Sequence, residues 1–154
     1  MKCETGIIRS GYDQKKCFVH ARCCYTPEQM LMTTQYLNVD GCDLFSGIYV
    51  STSEDEGKTW RTLEAQEGWA PIREGDHITV ACDGTPMYHR KTDSILFLGL
   101  TVEYADGGMR PIDEKRYTCY SVYDKEKKAF DKIRFLEMPE GYEQCGNGGR
   151  KSFG

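Results

Sequence analysis

The sequence predicts an all-β protein made of two successive units of four antiparallel strands. Three observations carry that prediction. A polar turn, Ser53-Glu54-Asp55-Glu56-Gly57-Lys58-Thr59-Trp60, lies between an alternating apolar run at 46–52 and a short return run at 61–63, the pattern of a β-hairpin. The composition is that of a turn-rich β chain, with 16 Gly and 10 Tyr among 154 residues. After a charged stretch at 64–75 the strand pattern begins again.

In order, 5–9 reads as a short strand, followed by the turn Ser10-Gly11-Tyr12-Asp13-Gln14. Residues 17–25 are apolar and long enough for a buried strand. Thr26-Pro27-Glu28-Gln29 turns the chain, with proline where its fixed φ helps. Residues 30–37 make the second strand, 38–43 a polar loop, 44–52 the third strand and 60–63 the fourth. The first unit thus runs from about 17 to 64.

A linker at 64–75 carries Trp69 and Pro71. Residues 77–82 open the second unit, with Tyr88-His89 prolonging the strand past a break at Asp83-Gly84-Thr85-Pro86. Strands at 95–104, 117–123 and 133–136 complete it, giving a unit from about 77 to 136. Residues 137–154 begin a third unit or form a loop. The turn at 124–130 reads as a decayed copy of the first. Ser121 and Asp124 echo Ser53 and Asp55, Phe130 stands where Trp60 stood, and the glycine is gone.

Within the intact turn each residue type has work to do. Gly57 supplies the positive φ that side chains resist. Ser53, Asp55 and Thr59 bond backbone N–H groups. Trp60 opens the return strand with a large surface to bury.

Composition also excludes. A net charge of −4 without a Lys/Arg-rich stripe argues against nucleic acid. No apolar run approaches the ~20 residues of a membrane span, and the first residues lack a signal-peptide core, so the reading is cytoplasmic. Eight cysteines in that compartment are expected as reduced thiols. In Cys17-x-x-His20-x-x-Cys23, strand alternation sends the two thiols to one face and the histidine to the other. No metal and no cofactor is expected.

The turn S-x-D-x-G-x-T-W resembles the Asp-box, or BNR repeat, of the sialidase (neuraminidase) family. The resemblance implies a six-bladed β-propeller with four antiparallel strands per blade, of which this chain holds about two. In that family the box joins the third and fourth strands on the outer rim, so Ser53, Asp55, Gly57, Thr59 and Trp60 are structural markers rather than catalytic groups. Propellers without sialidase activity also carry the box, so it marks architecture more than chemistry.

The implied activity is that of an exo-α-sialidase-type glycoside hydrolase acting on a sialoside or related glycan. The family holds the sugar carboxylate with three arginines, whose planar forks match it. Arg22 falls on the innermost strand, where the first of these stands, although the Ile-Pro that follows the family's arginine is absent. Alternation places Phe18, His20, Arg22 and Cys24 on one face, so His20 would share the pocket. The family's acid/base aspartate lies between the second and third strands, where Asp40 and Asp43 stand, and Asp43 abuts the third strand. The other arginines and the nucleophilic Tyr–Glu pair have no counterpart. The chain is therefore expected to be part of a longer propeller with an incomplete active site, or to assemble with copies of itself. The alternative is a non-catalytic Asp-box module that binds or scaffolds.

Overall fold

The computed structural model describes residues 5–39, 44–108, 110–112 and 116–140. Strand-forming runs and short polar turns draw the first part into an antiparallel meander. Its strands are β1 (Lys16–Tyr25), β2 (Met30–Asn38), β3 (Tyr49–Ser53) and β4 (Glu64–Ala65), in that spatial order. The β1–β2 turn is fixed by Thr26, whose buried hydroxyl accepts the N–H groups of Glu28 and Gln29 and donates to the Gln29 carbonyl.

The second sheet has β5 (Ile72–Glu74), β6 (His77–His89), β7 (Ser94–Ala105), β8 (Arg110–Ile112), β9 (Thr118–Asp124), β10 (Ala129–Phe130) and β11 (Arg134–Phe135). Its spine runs β5-β6-β7-β9-β10, with β8 on β7 and β11 on β9. There is no α-helix among the described residues. The fold is all-β, two antiparallel blades consistent with part of a β-propeller, and 5–9 forms no strand.

Several boundaries differ from the sequence expectation. The third strand begins at Tyr49 rather than Leu44, and upstream of it Phe45 makes only an isolated bridge to Leu37. The fourth ladder falls at Glu64–Ala65, not 60–63, although Arg61 N–H already reaches the Thr52 carbonyl. The polar turn between them bonds mainly to itself and delays the ladder. β6 runs unbroken through 83–86, because the expected break is a bulge, a register shift between Cys82 and Thr85.

The two blades repeat one another bond by bond. Arg61 N–H to Thr52 carbonyl (2.9 Å) recurs 70 residues on as Asp131 N–H to Val122 carbonyl (3.0 Å). Gln66 N–H to Ile48 carbonyl recurs as Leu136 N–H to Thr118 carbonyl. The Ser51 hydroxyl donates to the Arg61 carbonyl at 2.6 Å, and Ser121 to that of Asp131 at 2.7 Å. Ser121 therefore matches Ser51 and not Ser53, while Phe130 does match Trp60. Asp124 accepts from the N–H groups of Glu126 and Lys127, a local turn with none of the first turn's wider network. The first strands match as well, since β1 shifts register between Val19 and Arg22 as β6 does between Cys82 and Thr85. In each the next residue, His20 or Asp83, has positive φ (54° and 51°).

The blades pack through one core. Leu31, Ile48 and Val50 of the first meet Ile95, Phe97, Tyr123 and Phe130 of the second, with Trp69 between. Trp69 is 1 % exposed and stands edge-on to Phe97, ring centres 4.6 Å apart. Trp60, expected to be the buried anchor, is half-buried and donates its indole N–H to the Gly57 carbonyl. A second cluster, Ile78, Val80, Leu100, Val102 and Tyr104, is closed by Leu44 and Phe45. On the far face of blade one, Met32, Thr34, Ser51 and Ser53 are buried. There the segment ahead of β1 lies across the sheet, with Gly11 against the Phe18 ring and Arg9 donating to the Arg61 carbonyl.

Candidate functional site

The ends of blade one differ in chemistry. At one end β3 runs into the polar turn. Asp55 accepts the Ser53 hydroxyl (2.8 Å) and Thr59 N–H (2.9 Å) on one oxygen and the Thr59 hydroxyl (2.6 Å) on the other. Ser53 in turn accepts the Gly57 N–H, and Gly57 has φ +85°. Three donors on one carboxylate favour its charged form. The Thr59 hydroxyl and N–H, then Ser53, hold Asp55 down at about 2. Both oxygens of this carboxylate serve the turn, so it is structural.

At the opposite end, where β1 starts and β2 finishes, lies an open cleft of about 580 Å³. Tyr36 and Tyr49 line it, ring centres 5.2 Å apart and edge to face, and Phe18 stacks on Tyr36 at 4.4 Å. Lys16, Asn38 and Arg73 add polar groups, and Leu44 to Gly47 form one wall. Asp13 also borders it, but its carboxylate accepts the N–H groups of Lys15 and Lys16. Those bonds, Lys15 first, lower its proton affinity.

Beside this cleft His20 links the blades. Its Nε2 is 3.2 Å from an Asp83 carboxylate oxygen, its Nδ1 is 3.5 Å from Gln35 Oε1, and its ring lies against Phe45. Gln35 is 1 % exposed. Its Nε2 donates to the carbonyls of Ser46 (2.8 Å) and Ala81 (2.7 Å), which fixes the amide and turns Oε1 toward the histidine. Both ring nitrogens therefore face acceptor oxygens.

The expected pocket face does not form. The register shift in β1 moves the alternation by one, so Phe18 pairs with Tyr36 while Arg22 and Cys24 pair with Thr33 and Leu31. Phe18 and Arg22 then lie on opposite faces. Arg22 is exposed and donates to the carbonyl of its neighbour Ala21 at 3.1 Å. By the same shift Cys17 and Cys23 fall on opposite faces, not together. No group of three metal-ligating side chains occurs among the described residues. Asp40 and Asp43 lie outside the described residues. The thiols of Cys82 and Cys119 are buried, which pushes both up to about 12.

Sequence reasoning missed Gln35 and Arg73 and read Asp83 only as part of a strand break. The signal for Gln35 was an amide directly after Met30-Leu31-Met32-Thr33-Thr34, in a run otherwise destined for burial. Among the described residues no helix is long and apolar enough to cross a membrane. Compared with known protein families, with curated proteins and with solved structures, the chain finds no match.

Proposed function

We propose that this chain is a section of an Asp-box propeller that binds a glycan in the cleft beside Tyr36 and Tyr49. The observation that carries the reading is the lining itself. Aromatic faces offer a surface to the C–H side of a sugar ring, while Asn38, Lys16 and Arg73 offer donors to its hydroxyl or carboxylate oxygens. The closed hydrogen-bond network of the Ser53–Trp60 turn supports the Asp-box assignment and commits the Asp55 carboxylate to the turn.

A sialidase-type hydrolase is the second reading. Arg22 on the innermost strand favours it, as does the cleft wall at Leu44, next in sequence to Asp43. Against it, Arg22 spends a guanidinium N–H on its own backbone and lines no part of the cleft.

The test is calorimetric titration with 3′-sialyllactose and with lactose, run beside turnover of a fluorogenic sialoside. Binding that Tyr49→Ala abolishes, without turnover, is the expected result. Turnover above background, lost in Asp43→Asn, would establish the hydrolase reading instead. Neither binding nor turnover would overturn both.

A further inference from the structure

We propose that the open pocket between the β1–β2 and β6–β7 turns binds a small molecule, an aromatic ring that carries one carboxylate. The pocket holds about 350 Å³ and is lined by Tyr25, Thr26 and Pro27 of blade one and by Tyr88 and Arg90 of blade two. β1 begins at the aromatic cleft with Lys16 and ends here with Tyr25, so the two sites occupy opposite ends of one strand. Tyr25 is paired with Met30, and Met30 with Ser53, which puts the pocket at the same end as the polar turn.

The protein's own bonds fix the walls. Lys125, from the β9–β10 turn, reaches Glu28 at 3.2 Å and both oxygens of Asp93 at 2.8 Å, which ties the β1–β2 turn to the β6–β7 turn. The Tyr88 hydroxyl donates to Asp93 at 2.7 Å and so sets the direction of its ring. Thr26 spends its hydroxyl on the Gln29 carbonyl and on the N–H groups of Glu28 and Gln29.

What those bonds leave over defines the ligand. Glu28 and Asp93 share Lys125, whereas the exposed Arg90 makes no side-chain hydrogen bond or ion pair among the described residues. A planar guanidinium fork with no counterion matches one carboxylate. The rest of the lining is two tyrosine rings, that of Tyr25 60 % exposed, and a proline ring. These receive an aromatic ring by stacking or edge contact. A sugar fits poorly, because the Thr26 and Tyr88 hydroxyls are taken and several of its own would lose water without a partner. The volume lies within the range of small-molecule sites, ~300–1,000 Å³.

Titration of the isotope-labelled chain with 3-phenylpropionate, followed by amide NMR shifts, tests this. The expected result is saturable shifts at Thr26, Tyr88 and Arg90, with a dissociation constant on the order of 1 mM. The alcohol 3-phenylpropanol, which lacks the charge, and propionate, which lacks the ring, should each bind roughly tenfold more weakly. Arg90→Gln and Tyr25→Ala alter exposed side chains and should each weaken binding of the acid by a similar factor. Lys91→Gln removes a neighbouring charge outside the lining and should leave binding unchanged. Absence of saturable shifts overturns the proposal, as do shifts confined to Tyr36 and Tyr49 in the other cleft. It also fails if the alcohol binds as tightly as the acid, or if Lys91→Gln weakens binding as much as Arg90→Gln, which would reduce the effect to general attraction by a basic turn.

Discussion

His20 and Asp83 stand at the same point of the repeat in adjacent blades and meet each other across the boundary, 3.2 Å apart. Each lies where a first strand shifts register, and each takes positive φ. The distortion that re-aims one side chain re-aims its counterpart, so the two bulges together build the contact between the inner strands.

That contact is partly exposed, with side chains 24 % and 41 % accessible. A double-mutant cycle with His20→Gln and Asp83→Asn should therefore return a coupling of only ~0.2–1 kcal/mol in urea melts at neutral pH. A value near zero would show that the pair marks the boundary without holding it.

Gln35→Leu should be costlier. It strips the Ser46 and Ala81 carbonyls of their donor inside the protein, and each buried group left without a partner costs about 1–3 kcal/mol. Chemical denaturation measures this directly. A variant as stable as the parent would mean that water replaces the amide.

The two tryptophans should separate cleanly. Trp69→Ala empties a site at the junction of both blades and should lose about 3–5 kcal/mol. Trp60→Ala removes a half-buried ring lying over its own turn and should lose clearly less. Equal losses by thermal or chemical melting would contradict the burial described for Trp60.

Asp55 sets an acid limb. Its folded value, about 2, lies below the ordinary 3.8, so its contribution is fully present above pH 3.8 and disappears as the pH falls toward 2. Asp55→Asn should lower stability at neutral pH and flatten the loss between pH 4 and 2. Circular dichroism melts across that window check the slope; parallel curves for the two proteins would remove Asp55 from the account.

The turn and the division into two antiparallel sheets were legible in the sequence because their signals are local: alternation, a polar turn and a glycine where φ must be positive. The second sheet has seven strands where four were expected, because its extra strands are only two or three residues long. Strand ends were less legible. The bonds among Ser53, Asp55, Gly57 and Thr59 decide how far the turn extends before the ladder resumes. The roles of Trp60 and Trp69 came out reversed, since both are equally apolar and only the neighbouring blade determines which one is enclosed. The bulge at His20 left no trace, because Val19-His20-Ala21-Arg22 contains no glycine, whereas Asp83-Gly84 was noticed and read as a break. Arg22 lies on the first strand of the first sheet, and its direction depended on that hidden bulge.

Gln35 has a consequence for how the chain acquires its structure. Its partners come from β1, from the approach to β3 and from β6, the last 46 residues away in sequence. Until β6 is in place the central strand of blade one buries an amide whose bonds are incomplete. Blade one is therefore not an independent folding unit: it reaches its final stability only when blade two arrives, and the two should melt in a single transition.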